Sequence, residues 1–313
     1  MQRLLSGVKP TGRPHIGNYL GAMKQFVDLL NTGKYECFVF VADYHALNFI
    51  QNGAEMRSLI VDLVKDYVAI GLDPQKVVIF KQSDIPEHTE LTWIFDTITT
   101  MPYLMRAHAY KDAEAKDKEI SVGTFNYPML MAADILLYDA DIVPVGADQK
   151  QHIEYARDTA EKFNRIFGET FKLPKELIPK EVAIVPGTDG RKMSKSYGNT
   201  IPLFGTKDEI AKAVMSIVTD SKAESPENVY AIHTLLRDRG ELGELYKANK
   251  GKYKVLKEAL IEDIEAVVAP MRAKRDSISD ADIARVLKDG AEKARERASK
   301  RMADVRQKIG VAI

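Results

Sequence analysis

Two short polar segments, far apart in the chain, hold the residue types best suited to binding phosphate. The first, Pro14-His15-Ile16-Gly17-Asn18, lies between a predicted strand and a predicted helix. A glycine at a helix start lets a nucleotide approach the backbone, whose free amides and dipole favour phosphate. His15 and Asn18 can donate further hydrogen bonds to the same oxygens. Taken alone, an ordinary helix start with a surface histidine explains this segment better.

The second segment, Gly190-Arg191-Lys192-Met193-Ser194-Lys195-Ser196, is short and cationic. Its two lysines, glycine and two serines predict a mobile loop that can close over a polyphosphate. A solvated basic turn is the alternative for so short a motif. Together the two segments predict a two-part phosphate clamp. Neither is a P-loop, because no G-x-x-x-x-G-K-[ST] sequence occurs.

A third candidate is Asp134, the acidic residue that interrupts the apolar run from Tyr127 to Tyr138. Burying a carboxylate is costly without a partner. The sequence therefore predicts either a local cationic group or helix end beside Asp134, or a ligand that donates a hydrogen bond to it.

Composition limits the class of protein. The chain has 313 residues, enough for two domains, and a formal net charge of zero, so only a local basic face could attract nucleic acid. Cys37 is the only cysteine, which excludes an intrachain disulfide and a cysteine-based metal site within one chain. The amino terminus lacks a signal-peptide pattern, and no window is apolar enough to span a membrane. We therefore expect a cytoplasmic protein.

Short apolar runs alternate with amphipathic segments and predict the scaffold that positions these residues. This alternation favours an α/β fold with a Rossmann-like, doubly wound parallel sheet, covered by helices on both faces. Ligands of such sheets bind beyond the carboxyl ends of the strands, beside the first strand, where residues 9–18 and 43–45 would lie. The predicted strands are residues 4–8, 37–41, 77–80 and 142–145.

Two domains are predicted. Residues 1–205 would form the Rossmann-like domain, with a helical insertion at about 85–127 and the mobile loop at 187–198. Within the insertion, the polar segment 107–119 favours an exposed loop or lid. Residues 206–313 would form an all-helical domain, in which an apolar stripe runs from Ile283 to Ile309. The basic face opposite that stripe is either solvated or a surface for a phosphate backbone.

The two polar segments resemble the HIGH and KMSKS signatures of class I aminoacyl-tRNA synthetases. Four further segments are similar to the bacterial tryptophanyl-tRNA synthetase family: Ser6–Gly12, His15–Tyr19, Leu130–Leu136 and Val143–Gln149. The resemblance runs from residue 3 to about 200 and resumes at residues 289–294. It implies a tryptophan–tRNA ligase, in which residues 206–313 bind the anticodon.

The resemblance also implies the reactants and partners. Tryptophan and Mg²⁺-ATP would give tryptophanyl-adenylate and pyrophosphate, and the aminoacyl group would then pass to the 3′ end of tRNA(Trp). Mg²⁺ would accompany the ATP phosphates, without a metal site made by the protein. Bacterial relatives are homodimers, and the insertion could supply the interface.

Site residues follow from the same resemblance. The catalytic residues would be His15, Asn18, Lys192 and Lys195. The ATP site would add Lys9, Pro10, Thr11, Gly17, Gly146, Ala147, Asp148, Val185, Met193, Ser194 and Ser196. The tryptophan site would comprise Leu5, His45, Tyr127, Met131, Asp134, Val143, Val145 and Gln149, with Asp134 accepting from the indole N–H.

Two positions depart from the family pattern, and two alternatives stay open. Asn18 replaces the last histidine of the HIGH signature, and Leu5 stands where an aromatic residue is expected against the indole. A tyrosyl-tRNA synthetase would share the architecture but disagrees with residues 131–134 and 143–149. A noncatalytic paralogue that binds RNA or senses tryptophan is the second alternative. Against it, the following residues are all present together: Gly17, Asn18, Lys192, Lys195 and Asp134.

Overall fold

A five-stranded parallel sheet forms the centre of the computed structural model, which describes residues 1–115, 119–145, 150–177, 184–219 and 226–312. The spatial order of the strands is β3-β2-β1-β4-β5. The direction of winding reverses at β1, which pairs with both β2 and β4, so the predicted switch point beside the first strand is present. The strands are β1 (Gln2–Val8), β2 (Tyr35–Val41), β3 (Val77–Lys81), β4 (Ile142–Pro144) and β5 (Lys175–Leu177).

The second strand, β2, shows that both faces of the sheet are covered. Residues 37–41 are all buried. Phe38 and Phe40 join one hydrophobic cluster, whereas Cys37, Val39 and Val41 join another. Since successive side chains of a strand point to opposite faces, each face has its own core. The predicted doubly wound α/β class is confirmed.

Helices connect the strands and cover the sheet. The first connection starts as α1 (Ile16–Asn18), continues through a π-helical turn at Tyr19–Met23 and ends as α2 (Lys24–Asn31). The helices between β2 and the last strand are α3 (Asp43–Ala46), α4 (Gly53–Ala69), α5 (Glu87–Ile98), α6 (Met101–Leu104), α7 (His108–Ala115), α8 (Val122–Leu136) and α9 (Lys150–Phe167).

Two local features differ from the sequence-based expectation. The polar segment 107–119 was predicted as a loop or lid, but residues His108–Ala115 form helix α7. Strand β5 was not predicted, because Lys175-Glu176-Leu177 is short and mostly polar. Its parallel pairing with β4 at the edge of the sheet depends on a neighbour that local sequence does not reveal.

Beyond residue 205 the described residues contain helices and no strand: α10 (Lys207–Met215), α11 (Glu227–His233), α12 (Arg239–Ala248), α13 (Tyr253–Ser277) and α14 (Asp280–Lys308). Helices α10, α11 and α13 share a hydrophobic cluster with Ile16 and Met193. The helical region therefore packs directly on the two polar segments predicted to bind phosphate.

Helix α14 returns to the sheet and packs against β3. Its apolar stripe is buried, as the sequence predicts, and Gly290 lies against the carbonyl of Ile79 so closely that an added Cβ would be 1.7 Å from that oxygen. Four arginines of its basic face contact the sheet-containing part of the chain. Arg295 bonds the carbonyl oxygen of Asp84, and Arg297 pairs with Glu36. Arg301 pairs with Asp139, and Arg306 pairs with Glu90. These arginines therefore have partners within the protein, although Arg295 and Arg297 remain exposed to solvent. The division at residue 205 stays a prediction.

Candidate active site

A cavity of about 340 Å³ opens at the carboxyl ends of the strands, between β1, β4 and helix α8. Tyr127, Met131 and Asp134 line it from α8, since spacings of four and three residues place them on one helix face. Leu5 and Val143 line it from β1 and β4. Apart from Asp134 and a few polar groups at the rim, the walls are apolar, so the cavity suits a hydrophobic side chain.

The structure brings the predicted tryptophan-site residues together. Seven of the eight line this one cavity: Leu5, His45, Tyr127, Met131, Asp134, Val143 and Val145. Lys9, predicted for ATP, lies at the same cavity. Gln149 lies outside the described residues, as do Gly146, Ala147 and Asp148 of the predicted ATP site.

Asp134 is buried and accepts three hydrogen bonds from side chains. Its Oδ2 is 2.8 Å from Nε2 of His45. Its Oδ1 is 2.6 Å from Nδ1 of His88 and accepts at 2.7 Å from the Gln82 amide. Both oxygens of the carboxylate are therefore held, from the cavity side by His45 and from the opposite side by His88 and Gln82.

These partners keep Asp134 ionised. Burial by itself raises the pKa of the carboxyl group, but the hydrogen bonds from His45 and His88 outweigh it and lower the pKa to about 2. The cavity thus presents a negatively charged acceptor within an otherwise apolar wall. Such a wall can hold an aromatic ring and pair a single N–H donor on it.

Prediction from the sequence did not identify several residues that shape this site. His45 was a weak candidate from sequence, yet it bonds Asp134 directly, while His88 and Gln82 were not identified at all. Gly7 also lines the cavity. A larger residue would not fit there, because an added Cβ would be 2.4 Å from the Phe40 ring. The sequence carries only a weak signal for these residues. His45, Gln82 and His88 are isolated polar residues beside apolar segments in different elements, and all three are buried.

The first phosphate-binding candidate is built by a helix cap. Nδ1 of His15 accepts from the Asn18 N–H at 3.2 Å, and Oδ1 of Asn18 accepts from the His15 N–H at 3.1 Å. This reciprocal capping box fixes the helix start. Because Nδ1 acts as acceptor, neutral His15 carries its proton on Nε2, which can donate to a ligand.

His15 is neutral at physiological pH. Burial, and next the nearby ammonium group of Lys195, lower its pKa to about 4. It therefore acts as a hydrogen-bond donor rather than as a cation. The positive charge at this site comes from lysines of the second segment.

The second segment is docked on the first. Met193 is buried, and its Sδ accepts from the Gly17 N–H at 3.3 Å. Lys195 donates from Nζ to the carbonyl oxygens of Thr11 and Gly12 at 2.9 and 3.0 Å. The loop thus covers the helix start that the sequence assigned to ATP, and Val185 is buried beside Met193, whose N–H bonds its carbonyl.

Lys192 differs from Lys195. Its side chain is exposed, and within the described ranges its ammonium group makes neither an ion pair nor a hydrogen bond. Ser194 accepts from the Ser196 N–H at 3.3 Å and starts a short 3₁₀ turn. Pro10 is buried and Thr11 exposed at the turn that Lys195 contacts. One lysine therefore anchors the loop, and the other is available for phosphate.

A buried amide holds the base of the loop. Asn199 donates to Asp189 Oδ1 at 2.6 Å and accepts from the Ser194 N–H at 2.8 Å. Gly187 lies so close to it that an added Cβ would be 2.3 Å from the amide nitrogen. The loop conformation is therefore set by hydrogen bonds at its base.

No group of three or more metal-ligating side chains occurs in the ranges that the structure describes. In the same ranges, no helix is long and apolar enough to cross a membrane.

Sheet order, cavity and docked loop all point to one class of enzyme, and residues 1–282 match the family described as tRNA synthetases class I (W and Y). The chain belongs to this family.

Two relatives and one solved structure show which synthetase within this family the chain is similar to. The chain is 46% identical to the tryptophan–tRNA ligase of Fusobacterium nucleatum, over 99% of this chain and 98% of the relative. It is 47% identical to that of Rhodopirellula baltica, over 99% of each. Among solved structures, a tryptophanyl-tRNA synthetase from Campylobacter jejuni, complexed with ADP and tryptophan, superposes with a TM-score of 0.92 at 42% identity, covering 99% of this chain and 100% of the other.

Proposed function

We propose that this chain is a tryptophan–tRNA ligase. The observation that carries the proposal is the ionised carboxylate of Asp134 in the wall of an apolar cavity beside the docked loop. Identity of 46–47% to tryptophan–tRNA ligases over nearly the whole chain supports the same reaction.

The cavity accounts for the choice of amino acid. The indole ring of tryptophan would pack against Leu5, Met131 and Val143, and its N–H would donate to Asp134. Phenylalanine would leave this buried acceptor without its ligand partner, a loss that discriminates strongly. Tyr127, whose hydroxyl bonds His152, would face the polar end of the substrate together with Gln149.

The docked loop and the capped helix account for activation. An oxygen of the tryptophan carboxylate would attack the α-phosphorus of ATP, the bond to the β-phosphate would break, and pyrophosphate would leave. Gly17 allows the nucleotide to approach, and His15 Nε2–H and the Asn18 amide would donate to the phosphates. Lys192 and Lys195 would neutralise charge on the departing pyrophosphate. In this proposal Lys195 exchanges its two carbonyl partners for phosphate oxygens.

The other described residues of the predicted ATP site fit the same arrangement. Lys9, Pro10 and Thr11 form the turn next to Lys195, while Val185, Met193, Ser194 and Ser196 form the loop opposite. Gly146, Ala147 and Asp148 would contact ribose or adenine. Mg²⁺ would be held by the nucleotide's phosphate oxygens and water, and cations around the phosphates suit an anionic Mg²⁺-ATP complex.

In the second step, the 3′-terminal ribose hydroxyl of tRNA(Trp) would attack the carbonyl carbon of the adenylate, and AMP would leave. The helices beyond residue 205 would bind the anticodon. A cytoplasmic location follows from a role in translation.

A homodimer is proposed on separate grounds. Trp93, Met101 and Val122, all in the insertion, are large apolar residues exposed by 71%, 67% and 81%. In this proposal a second copy of the chain covers these side chains, since large exposed apolar surface marks interaction sites. Sedimentation equilibrium should give twice the 35.1 kDa of one chain, and Trp93→Ser should shift the population towards the monomer. A wild-type monomer at micromolar concentration would contradict this.

The function itself is tested by amino-acid-dependent ATP–pyrophosphate exchange on the purified chain. Exchange with tryptophan, and none with tyrosine, is expected. Exchange with tyrosine alone would make the chain a tyrosine enzyme on the same scaffold, and no exchange from folded protein would favour a noncatalytic binding protein.

A further inference from the structure

Behind the cavity, three buried side chains form a chain of hydrogen bonds. The hydroxyl of Tyr138 is 2.8 Å from Nε2 of His88, whose Nδ1 is 2.6 Å from Oδ1 of Asp134. Tyr138 and His88 are both fully buried. Neither lines the cavity, whereas Asp134 does.

Chemistry gives each hydrogen bond in this chain a direction. An ionised carboxylate only accepts, so Nδ1 of His88 must carry a proton. The Tyr138 phenol stays protonated, because burial and the nearby charge of Asp134 raise its pKa well above the ordinary value. With its proton in place, the phenol donates to Nε2 of His88, and the histidine donates from Nδ1 to Asp134.

The surroundings hold the histidine ring in this orientation. His88 lies among the rings of Phe40, Phe80 and Tyr138, with centroid distances of 5.9, 6.4 and 5.5 Å. A ring turned about its axis would lose both hydrogen bonds in an apolar enclosure, where unpaired polar groups are costly. The enclosure therefore selects one orientation of the ring.

Gln82 gives the same oxygen a second donor. Its amide is fully buried and donates to Oδ1 at 2.7 Å, while within the described ranges its Oε1 has no hydrogen-bond partner. Two donors thus occupy Oδ1 from behind. Oδ2, beside His45, is the oxygen on the cavity side.

We propose that His88 and Tyr138 are positioning residues that fix the Asp134 carboxylate so that Oδ2 faces the cavity as the acceptor for the substrate's indole N–H. This inference rests on the proposed function. It attributes the specificity for tryptophan to the buried hydrogen bonds behind the cavity as well as to the cavity wall. A carboxylate held at one oxygen cannot turn to suit a ligand without an N–H donor.

The experiment compares tryptophan with its analogue in which sulfur replaces the indole N–H, using ATP–pyrophosphate exchange. Tyr138→Phe keeps the packed ring and removes only the hydroxyl, which leaves Nε2 of His88 without its donor. We expect the preference for tryptophan, as a ratio of kcat/KM values, to fall about tenfold, the size of one hydrogen bond to a charged network. The change should appear in KM for tryptophan, with KM for ATP unchanged.

The chain offers a matched control. In the helical region, His233 contacts the hydroxyl of Tyr246 at 3.2 Å and Asp263 at 2.7 Å, the same three residue types far from the cavity. Tyr246→Phe also removes a hydroxyl from a buried histidine, so it should leave the preference for tryptophan unchanged. An equal loss in both variants would show a general effect on stability and overturn the proposal.

Substitutions of His88 test the donor itself. His88→Asn retains an N–H near the position of Nδ1, whereas His88→Leu retains none. Preference for tryptophan should fall in the order wild type, His88→Asn, His88→Leu. If the wild type activates tryptophan but Tyr138→Phe and His88→Asn keep full discrimination, this inference fails while the proposed function stands; if the wild type activates no tryptophan, the proposed function fails first.

Discussion

At the scale of single residues, Asp134 is the buried charge around which the cavity is arranged. Its three donors come from α3, from the turn after β3 and from α5, so elements distant in sequence stabilise one carboxylate. This explains how a carboxylate is tolerated among apolar neighbours. The sequence allowed either a cationic partner or a ligand, and the structure provides polar partners on both oxygens while still exposing the group to the cavity.

Replacement of this carboxylate should separate the two substrates. Asp134→Ala removes the acceptor for the indole N–H, and we expect kcat/KM for tryptophan to fall by about 10² or more. Binding of ATP, measured by fluorescence titration with a labelled analogue, should change less than about threefold, since the proposed nucleotide contacts are elsewhere. Equal losses for both substrates would contradict the assignment of Asp134 to the amino acid.

His15 gives a prediction about pH. Its pKa is lowered from 6.5 to about 4 in the folded protein, so the unfolded chain binds the proton first as the pH falls. The free energy of unfolding should therefore lose a contribution from His15 between pH 6.5 and about 4, with none lost above that range.

Asparagine tests this effect, because it is a good cap and does not titrate. Urea unfolding of wild type and His15→Asn should give a difference in stability that shifts in favour of the variant between about pH 7.5 and about pH 5.5. A difference that stays constant over this interval would show that His15 titrates normally.

At the scale of elements, the capped helix and the docked loop form one unit. Gly17 lies in the contact: an added Cβ would be 3.1 Å from both Cβ and Sδ of Met193 and 3.0 Å from His15 Nδ1. The glycine therefore permits close approach of the loop, and in the proposed function also of a nucleotide. Met193 in turn belongs to the core shared with α10, α11 and α13, which ties the loop to the helical region.

Gly17→Ala should push the loop away from the helix start. We expect kcat/KM for ATP to fall about tenfold or more, because misplaced phosphate-binding groups lose their geometric advantage. Gly21→Ala is the matched control in the same helix, since its Cβ would meet nothing within 4 Å. Similar ATP kinetics in the two variants would remove the loop contact from the explanation.

At the scale of the whole molecule, α14 joins the end of the chain to its sheet. Its buried stripe packs along β3, and its arginines bond Glu36, Glu90 and Asp139. The last helix is thus part of the packing of the sheet, although the helices before it form a core of their own with the loop.

Gly290→Ala tests this packing. The new methyl group would overlap the backbone of Ile79, so the helix must move from the strand, and we expect a loss of about 3 kcal/mol or more in the free energy of unfolding. Gly243→Ala, in α12 with open space around it, should change stability by less than about 1 kcal/mol. Urea denaturation measures both, and a tolerated Gly290→Ala would contradict tight packing of α14 on β3.

The sequence by itself determined the class of fold, and its resemblance to a known family implied most of the cavity wall. Apolar strands such as residues 37–41 predict a sheet that is buried on both faces. The spacing of Tyr127, Met131 and Asp134 puts them on one helix face. The strand pattern is local, so local sequence is sufficient to find it, whereas the roles of the three helix residues were implied by the resemblance. The short strand β5 and helix α7 were not predicted, because their residues are polar and show no clear periodicity.

Only the tertiary structure decided which polar residues meet. His45, Gln82 and His88 lie 89, 52 and 46 residues from Asp134, and no periodicity links such positions. The same holds for α14, whose basic face pairs with carboxylates from the sheet-containing part of the chain. An ion pair or a hydrogen bond depends on the distance between two groups in space. The fold sets that distance, and the order of residues along the chain does not show it.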